Sequence, residues 1–375
     1  MKNAWRILAL LMVVLMVFSL VACGSEEEET EDGETIDLGG LGGSGDTSDG
    51  SENETEDETG ANMDQSEIKD PTLANPTLAT LTVPANSSLK LSTAAAPAEA
   101  DCQKVTLNKN AMYSGSLILV NSANSMQIEP TDTLANIYAN RGKSDAGENT
   151  YGLKGSEMEL DKTTLDALNA MMKKYYNTLG NSYVLVTDAY RDAETQTDIF
   201  ENALQQYGAD KVGQYALKTN CSDYRTGMAV YFKYLTDGKT YLLSDEKAEG
   251  AEQFFNNNAA TYGFIQRYPD NKTSFTGIAK DVQPYQYRYV GVPHARVIKE
   301  GGYCLEEYIA GIKNYTEENR LKIEDGGHVY HVFYVAAPAN ANEVTVRIPK
   351  TVYEAENYSI SGNNVDGFIV TIQLS

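Results

Sequence analysis

Basic residues and histidines are scarce in this chain. Of its 375 residues, 30 are lysine or arginine against 53 aspartate or glutamate, a formal net charge of −23. A surface of that sign repels phosphate backbones, which argues against nucleic acid as a partner. Only three histidines are present, His294, His328 and His331. His328 and His331 lie three apart in a strand-like stretch, so they point to opposite sides and do not converge on one ion. There is no internal repeat. The long apolar run, residues 7–22 (ILALLMVVLMVFSLVA), is too short for a comfortable membrane span.

What is present at the N-terminus reads as an export signal. Lys2 and Arg6 precede the apolar run, and the run ends at small residues. Leu20-Val21-Ala22-Cys23 matches a bacterial lipobox, so Cys23 is the expected lipidation site. An uncleaved anchor helix is the alternative. Either places the protein outside the cytoplasm, on the extracellular face of the cell membrane. Cys102, Cys221 and Cys304 remain, an odd number for an oxidising compartment.

Residues 24–70 hold 18 of the acidic residues and one lysine, with little that is hydrophobic. Such a segment is expected to stay unfolded. Residues 71–100, rich in Pro, Ala, Thr and Ser, read as a continuation of that tether. The expected organisation is a signal peptide over 1–22, a lipidated tether over 23–100, a globular domain over 101–316 and a β-rich appendage over 317–375, either a module of its own or an extension of the main sheet.

Within the globular part, Leu117–Val120 reads as a strand. Asp161–Leu179 reads as a helix: Leu165, Leu168, Met172, Tyr175 and Leu179 recur at three-to-four spacing, Asp161 caps it and Gly180 ends it. A strand over Tyr183–Thr187, a helix over Ala193–Tyr207 and a strand over Met228–Tyr234 follow. A helix capped by Ser244 is expected over Glu246–Tyr262, strands over Phe264–Tyr268 and Tyr285–Tyr289, and a helix over Cys304–Ile312. Val329–Val335, Glu343–Ile348, Tyr358–Ser361 and Gly367–Gln373 alternate at period two and read as strands.

Five segments in order carry a family resemblance, over roughly residues 150–312. Val186-Thr-Asp-Ala-Tyr-Arg191 with Gln196 is similar to Ser-Gly-Tyr-Arg-Ser-x-x-x-x-Gln. Ser222-Asp-Tyr-Arg-Thr-Gly-Met-Ala-Val-Tyr231 is similar to Ser-x-His-x-x-Gly-x-Ala-x-Asp. Tyr262-Gly-Phe-Ile-x-Arg-Tyr-Pro269 matches a core segment. Gln283-Pro-Tyr-Gln-Tyr-Arg-Tyr-Val-Gly291 is similar to Glu-Pro-Trp-His-Tyr-Arg-Tyr-Val-Gly, and His294-Ala295 and Leu305-Glu-Glu-Tyr308 continue the match. Together they resemble the VanY-type D-alanyl-D-alanine carboxypeptidases, zinc enzymes that trim peptidoglycan stem peptides. The resemblance implies an α+β fold of the Hedgehog/DD-peptidase kind.

In that family a His and an Asp of one motif and a His of another hold zinc, and a Glu is the general base. The matching positions here are Tyr224, Tyr231, Gln286 and Gln283. An amide has no basic lone pair with which to take a proton, and neutral phenols are poor zinc ligands. No metal cofactor is therefore expected. Cys221 and Asp223 flank the motif as the remaining donors for a relocated site. His294 falls where the family has a histidine that is not a ligand.

By the same resemblance Arg191, Ser222 and Gln196 occupy carboxylate-binding positions. Arg191 stands equally to pair with Asp188 or Asp192. Tyr224, Tyr231 and Tyr285 are expected to line the former catalytic pocket, as ligand-stacking faces or as plain filling. The implied fold brings Cys221 and Cys304 near one end of that pocket, where a disulfide is expected and two buried thiols are the alternative; Cys102 stays free. The expected function is an inactive, membrane-anchored module binding peptidoglycan stem peptide or a cell-surface protein. An active carboxypeptidase and a purely structural or adhesive module are the alternatives.

Overall fold

A computed structural model describes residue 68 and residues 70–374. Cys23, the export signal and the acidic run before residue 68 lie outside the described residues. No described helix is long and apolar enough to cross a membrane.

In chain order the strands are β1 (Lys90–Ala95), β2 (Cys102–Asn108), β3 (Leu134–Asn136), β4 (Gly152–Leu153), β5 (Glu159–Asp161), β6 (Val184–Asp188), β7 (Ala229–Thr236), β8 (Lys239–Tyr241), β9 (Phe264–Gln266), β10 (Gln286–Tyr289), β11 (Asn319–Asp325), β12 (His328–Ala336), β13 (Glu343–Pro349), β14 (Tyr358–Gly362) and β15 (Gly367–Gln373). The longer helices are α1 (Lys162–Leu179), α2 (Ala193–Tyr207), α3 (Ala251–Asn258), α4 (Val292–Gly301) and α5 (Leu305–Ile312).

One sheet runs β4-β6-β7-β10-β9, with β8 on β7. Its core face packs on α1 and α3: Leu165, Leu168, Met172 and Tyr175 meet Val184, Val186, Phe232 and Phe255. The caps of α1 explain its limits. Asp161 accepts from the Thr164 amide, and Gly180 closes the helix in the left-handed region at φ 71°. A second sheet runs β1-β11-β12-β15-β14, and β2 pairs with β13.

The structure corrects four expectations. First, the fold begins before residue 101. β1 pairs in antiparallel register with β11 from Lys90 opposite Glu324 to Ala95 opposite Asn319. Leu81 and Leu89 are buried with Leu305, Ile309, Leu321 and Ile323. These leucines stand singly among Pro, Ala and Thr, so local composition reads as linker while long-range contacts order the segment. Second, the C-terminal strands are no separate appendage. The same hydrophobic cluster joins them to α4 and α5, and their sheet takes its edge strand from β1.

Third, Leu117–Val120 is buried but forms no strand. The Arg288 guanidinium donates to the carbonyls of Ser116 (3.3 Å) and Ile118 (3.1 Å), and Arg267 donates to Val120 at 3.4 Å. Side chains satisfy this backbone where a ladder would otherwise be needed. Fourth, the expected helix over 246–262 is broken. Gly250 adopts φ 78°, Asp245 rather than Ser244 caps the first turn, and α3 follows the break.

Candidate functional site

Three adjacent strands carry the residues singled out by the sequence. A bulge between Val186 and Asp188 sets Asp188 opposite Tyr231 across β6 and β7. Tyr231 in turn stands opposite Gln286 across β7 and β10. Directly opposed residues in a ladder share a face, so Asp188, Tyr231 and Gln286 form one row across the sheet.

Tyr224 flanks that row. It sits in the helical turn Asp223–Thr226, closed by Gly227 at φ 70°. A side chain at Gly227 would sit 2.7 Å from a Leu134 methyl and 3.2 Å from the Asp161 nitrogen, so only glycine fits this turn. Burial foremost, with the Asp188 carboxylate second, holds the Tyr224 phenol well above its ordinary range; the Arg191 and Tyr231 side chains are also near enough to act on it. Burial likewise raises the Tyr231 phenol. Both stay protonated at neutral pH.

Arg191 lies over this corner, its guanidinium 4.0 Å from the centre of the Tyr224 ring. Its Nε donates to the two Asp188 oxygens at 3.1 and 3.0 Å, and Nη2 also pairs with Asp188. Nη1 donates to Gln196 Oε1 at 3.0 Å, while Gln196 Nε2 donates to the Leu217 carbonyl at 2.7 Å. Of the two carboxylates open to Arg191 in the sequence, Asp188 takes the fork. Asp192 instead caps α2, accepting from the Thr195 amide.

Two polar atoms of the site are buried without a hydrogen-bond partner, the Tyr224 hydroxyl and Gln286 Nε2. Both residues are 2% exposed. Ser222 is buried beside Tyr224, and Gln283 is half-buried in the turn before β10.

Tyr285 does not join the row. Its ring packs into the core shared by Phe254 and Phe255, and its hydroxyl donates to Glu252 at 2.8 Å. Burial first, then its Glu252 contact, pushes its phenol up to about 12 despite the opposing hydrogen bond at Ser244. The expected disulfide is absent: Cys102, Cys221 and Cys304 are free thiols. The Cys304 sulfur accepts the first-turn amide of α5 while Glu307 bonds back to the Cys304 amide, a capping box. Cys221 instead packs against Leu217, Tyr268 and Ile278.

Sequence reading missed the charge network beneath the row. Asp223, wholly buried, accepts from Arg288 Nε at 3.1 Å and from Arg267 Nε. Arg267 reaches Glu306 at 2.7 and 3.0 Å, and Asn121 adds a bond to Glu306 at 3.2 Å. Two arginines and two carboxylates balance. Burial alone would lower Arg267, yet Asp223 and Glu306 raise it well above its usual range. Asp223 therefore has no free oxygen for a metal. His294 is also fully engaged: Nδ1 lies 2.6 Å from the Tyr308 hydroxyl and Nε2 2.9 Å from Thr371 Oγ1, and burial lowers its pKa to about 3. It is a neutral cross-link between α4, α5 and β15.

A cavity of about 760 Å³ lies apart from the row, between the 289–294 segment and strands β14 and β15. Glu129, Asp132, Asp161 and Glu356 line it without any lysine or arginine. That lining does not suit a ligand's terminal carboxylate.

The sheet and its helix layer are those of a mixed α/β carboxypeptidase fold. The family profile described as VanY, D-alanyl-D-alanine carboxypeptidase, matches residues 157–292. A D-alanyl-D-alanine carboxypeptidase of Enterococcus faecium is 32% identical over 270 residues, covering 72% of this chain and 79% of that protein. The bifunctional D-Ala-D-Ala dipeptidase and carboxypeptidase VanXYC of Enterococcus gallinarum is 31% identical over 126 residues, 33% of this chain and 65% of its own length. Among solved structures, the D,D-dipeptidase VanXYg in complex with a D-Ala-D-Ala phosphinate analogue aligns with a TM-score of 0.61 at 29% identity, covering 73% of this chain and 99% of that one. The chain belongs to the VanY family of D-alanyl-D-alanine carboxypeptidases.

The residues that the motif resemblance sets at the family's metal positions do not fit zinc. Two protonated phenols and an amide, Tyr224, Tyr231 and Gln286, offer none of the imidazole, thiolate or carboxylate donors that zinc favours. The nearby carboxylate, Asp188, is held by Arg191. Among the described residues, no three His, Cys, Asp or Glu side chains are grouped to hold a metal ion.

Proposed function

We propose that this is a non-catalytic member of its family that binds cell-wall peptide at the Asp188–Tyr231–Gln286 row. Cys23 would carry its lipid anchor on the outer face of the membrane. The single observation behind this reading is the donor set itself. By the motif resemblance Tyr224, Tyr231 and Gln286 stand at the positions of the zinc ligands, and Gln283 at that of the base. Without a metal-activated water and a proton acceptor the family's hydrolytic step has no route. The relatives' D-Ala-D-Ala ligands support a peptide as the bound species.

Turnover of an N-acylated tripeptide ending in D-Ala-D-Ala, with and without added zinc, tests the proposal together with calorimetric binding of the same peptide. Binding without release of D-alanine is the expected result. Zinc-dependent release abolished by a chelator would instead establish the active carboxypeptidase, the reading favoured by family membership.

A further inference from the structure

The family position that holds a cation is lined in this chain by hydrogen-bond donors. The Tyr224 hydroxyl and the Gln286 amide nitrogen are buried and have no partner. Leaving such groups unpaired is unfavourable, so native structures do so where something else completes the bond. Gln286 belongs to the row, directly opposite Tyr231, and Tyr224 flanks it, its ring against the Arg191 guanidinium that holds Asp188. An oxygen atom is the partner that two donors share.

The charge of that oxygen is set by Arg191. A guanidinium fork free in the site would select a carboxylate. Here the fork is closed on Asp188 and Gln196, and the Arg191–Asp188 pair is neutral as a unit. An incoming carboxylate would meet the Asp188 charge with no uncompensated cation facing it.

We propose that the row accepts a neutral peptide carbonyl through Tyr224 and Gln286, so that the protein recognises internal or amidated D-alanyl peptide rather than a free C-terminus. This rests on the peptide-binding reading above and names the form of peptide it takes.

The test compares N-acetyl-D-alanyl-D-alanine with its C-terminal amide, by calorimetry on the full chain. The amide is expected to bind several-fold more tightly than the acid. Tyr224→Phe and Gln286→Leu are each expected to weaken the amide about two- to tenfold, the range for one neutral hydrogen bond. Asp188→Asn, which frees the fork, is expected to shift preference toward the acid. Acid binding as tight as the amide or tighter in the wild type would overturn this inference while leaving the peptide-binding reading intact. Failure of both ligands to bind would overturn that reading and this inference with it. On the free protein, the two orphan-removing substitutions should raise the melting midpoint by about 1–3 °C, and a fall in both would overturn the inference by showing that the groups are already satisfied within the fold.

Discussion

The row and the charge network below it share two segments, yet they differ in completeness. Asp223 precedes Tyr224 by one residue, and Arg288 follows Gln286 by two. In the network every carboxylate meets a guanidinium, and the arginines also hold the 116–120 backbone in place. In the row, a hydroxyl and an amide nitrogen stay unpaired and one ion pair closes on itself. The network is thus a paired, buried scaffold, while the adjoining row keeps buried donors without partners.

Breaking the network should have the largest effect. Asp223→Ala strips a fully buried carboxylate from two buried arginines and is expected to lower stability by about 3–5 kcal/mol, read from urea unfolding. A comparable loss, roughly 3–6 kcal/mol, is expected for a chain shortened to begin at residue 101. It lacks β1 and the buried Leu81 and Leu89, each worth about 1.5–3 kcal/mol. Thermal melts of the shortened and full chains check this.

His294 sharpens the contrast through pH. Its folded pKa of about 3 lies below the usual histidine value of 6.5, so the unfolded chain binds the proton more readily. Stability from this group is complete above pH 6.5 and is lost as pH falls toward 3. Between pH 6.5 and 5 the loss should be about 2 kcal/mol. His294→Gln should flatten that slope in a series of melts, whereas an unchanged slope would assign it to other groups. Gly227→Ala, which forces a side chain into the left-handed turn under Tyr224, should destabilise by about 1–3 kcal/mol. The smallest effects belong to the row, where Tyr224→Phe and Gln286→Leu should leave stability level or slightly improved.

The contrast also separates what could be read in the sequence from what could not. α1 was legible with its caps because helical periodicity, Asp161 and Gly180 are local signals. The four family positions come from contiguous motifs, while the pairing of Tyr231 with Gln286 is seen only in the register of the sheet. The closure of Arg191 on Asp188 was legible only as one of two pairings. The remainder depends on contacts between distant segments. Glu306 joins Arg267 across 39 residues and Asn121 across 185, and β1 joins β11 across more than 220. No periodicity marks such partners. Leu117–Val120 looked like a strand because it is apolar, while the Ile118 and Val120 carbonyls are met by two arginines and that of Leu119 by Asn364, all far along the chain. Cys304 looked like half of a disulfide, yet its sulfur caps α5.

The zinc content of the purified protein tests the central claim most directly. After exposure to zinc and desalting, elemental mass spectrometry should find less than about a tenth of an equivalent, because a working site needs stoichiometric metal. Close to one tightly held equivalent, removed only by a strong chelator, would contradict the account and return the protein to the active carboxypeptidases.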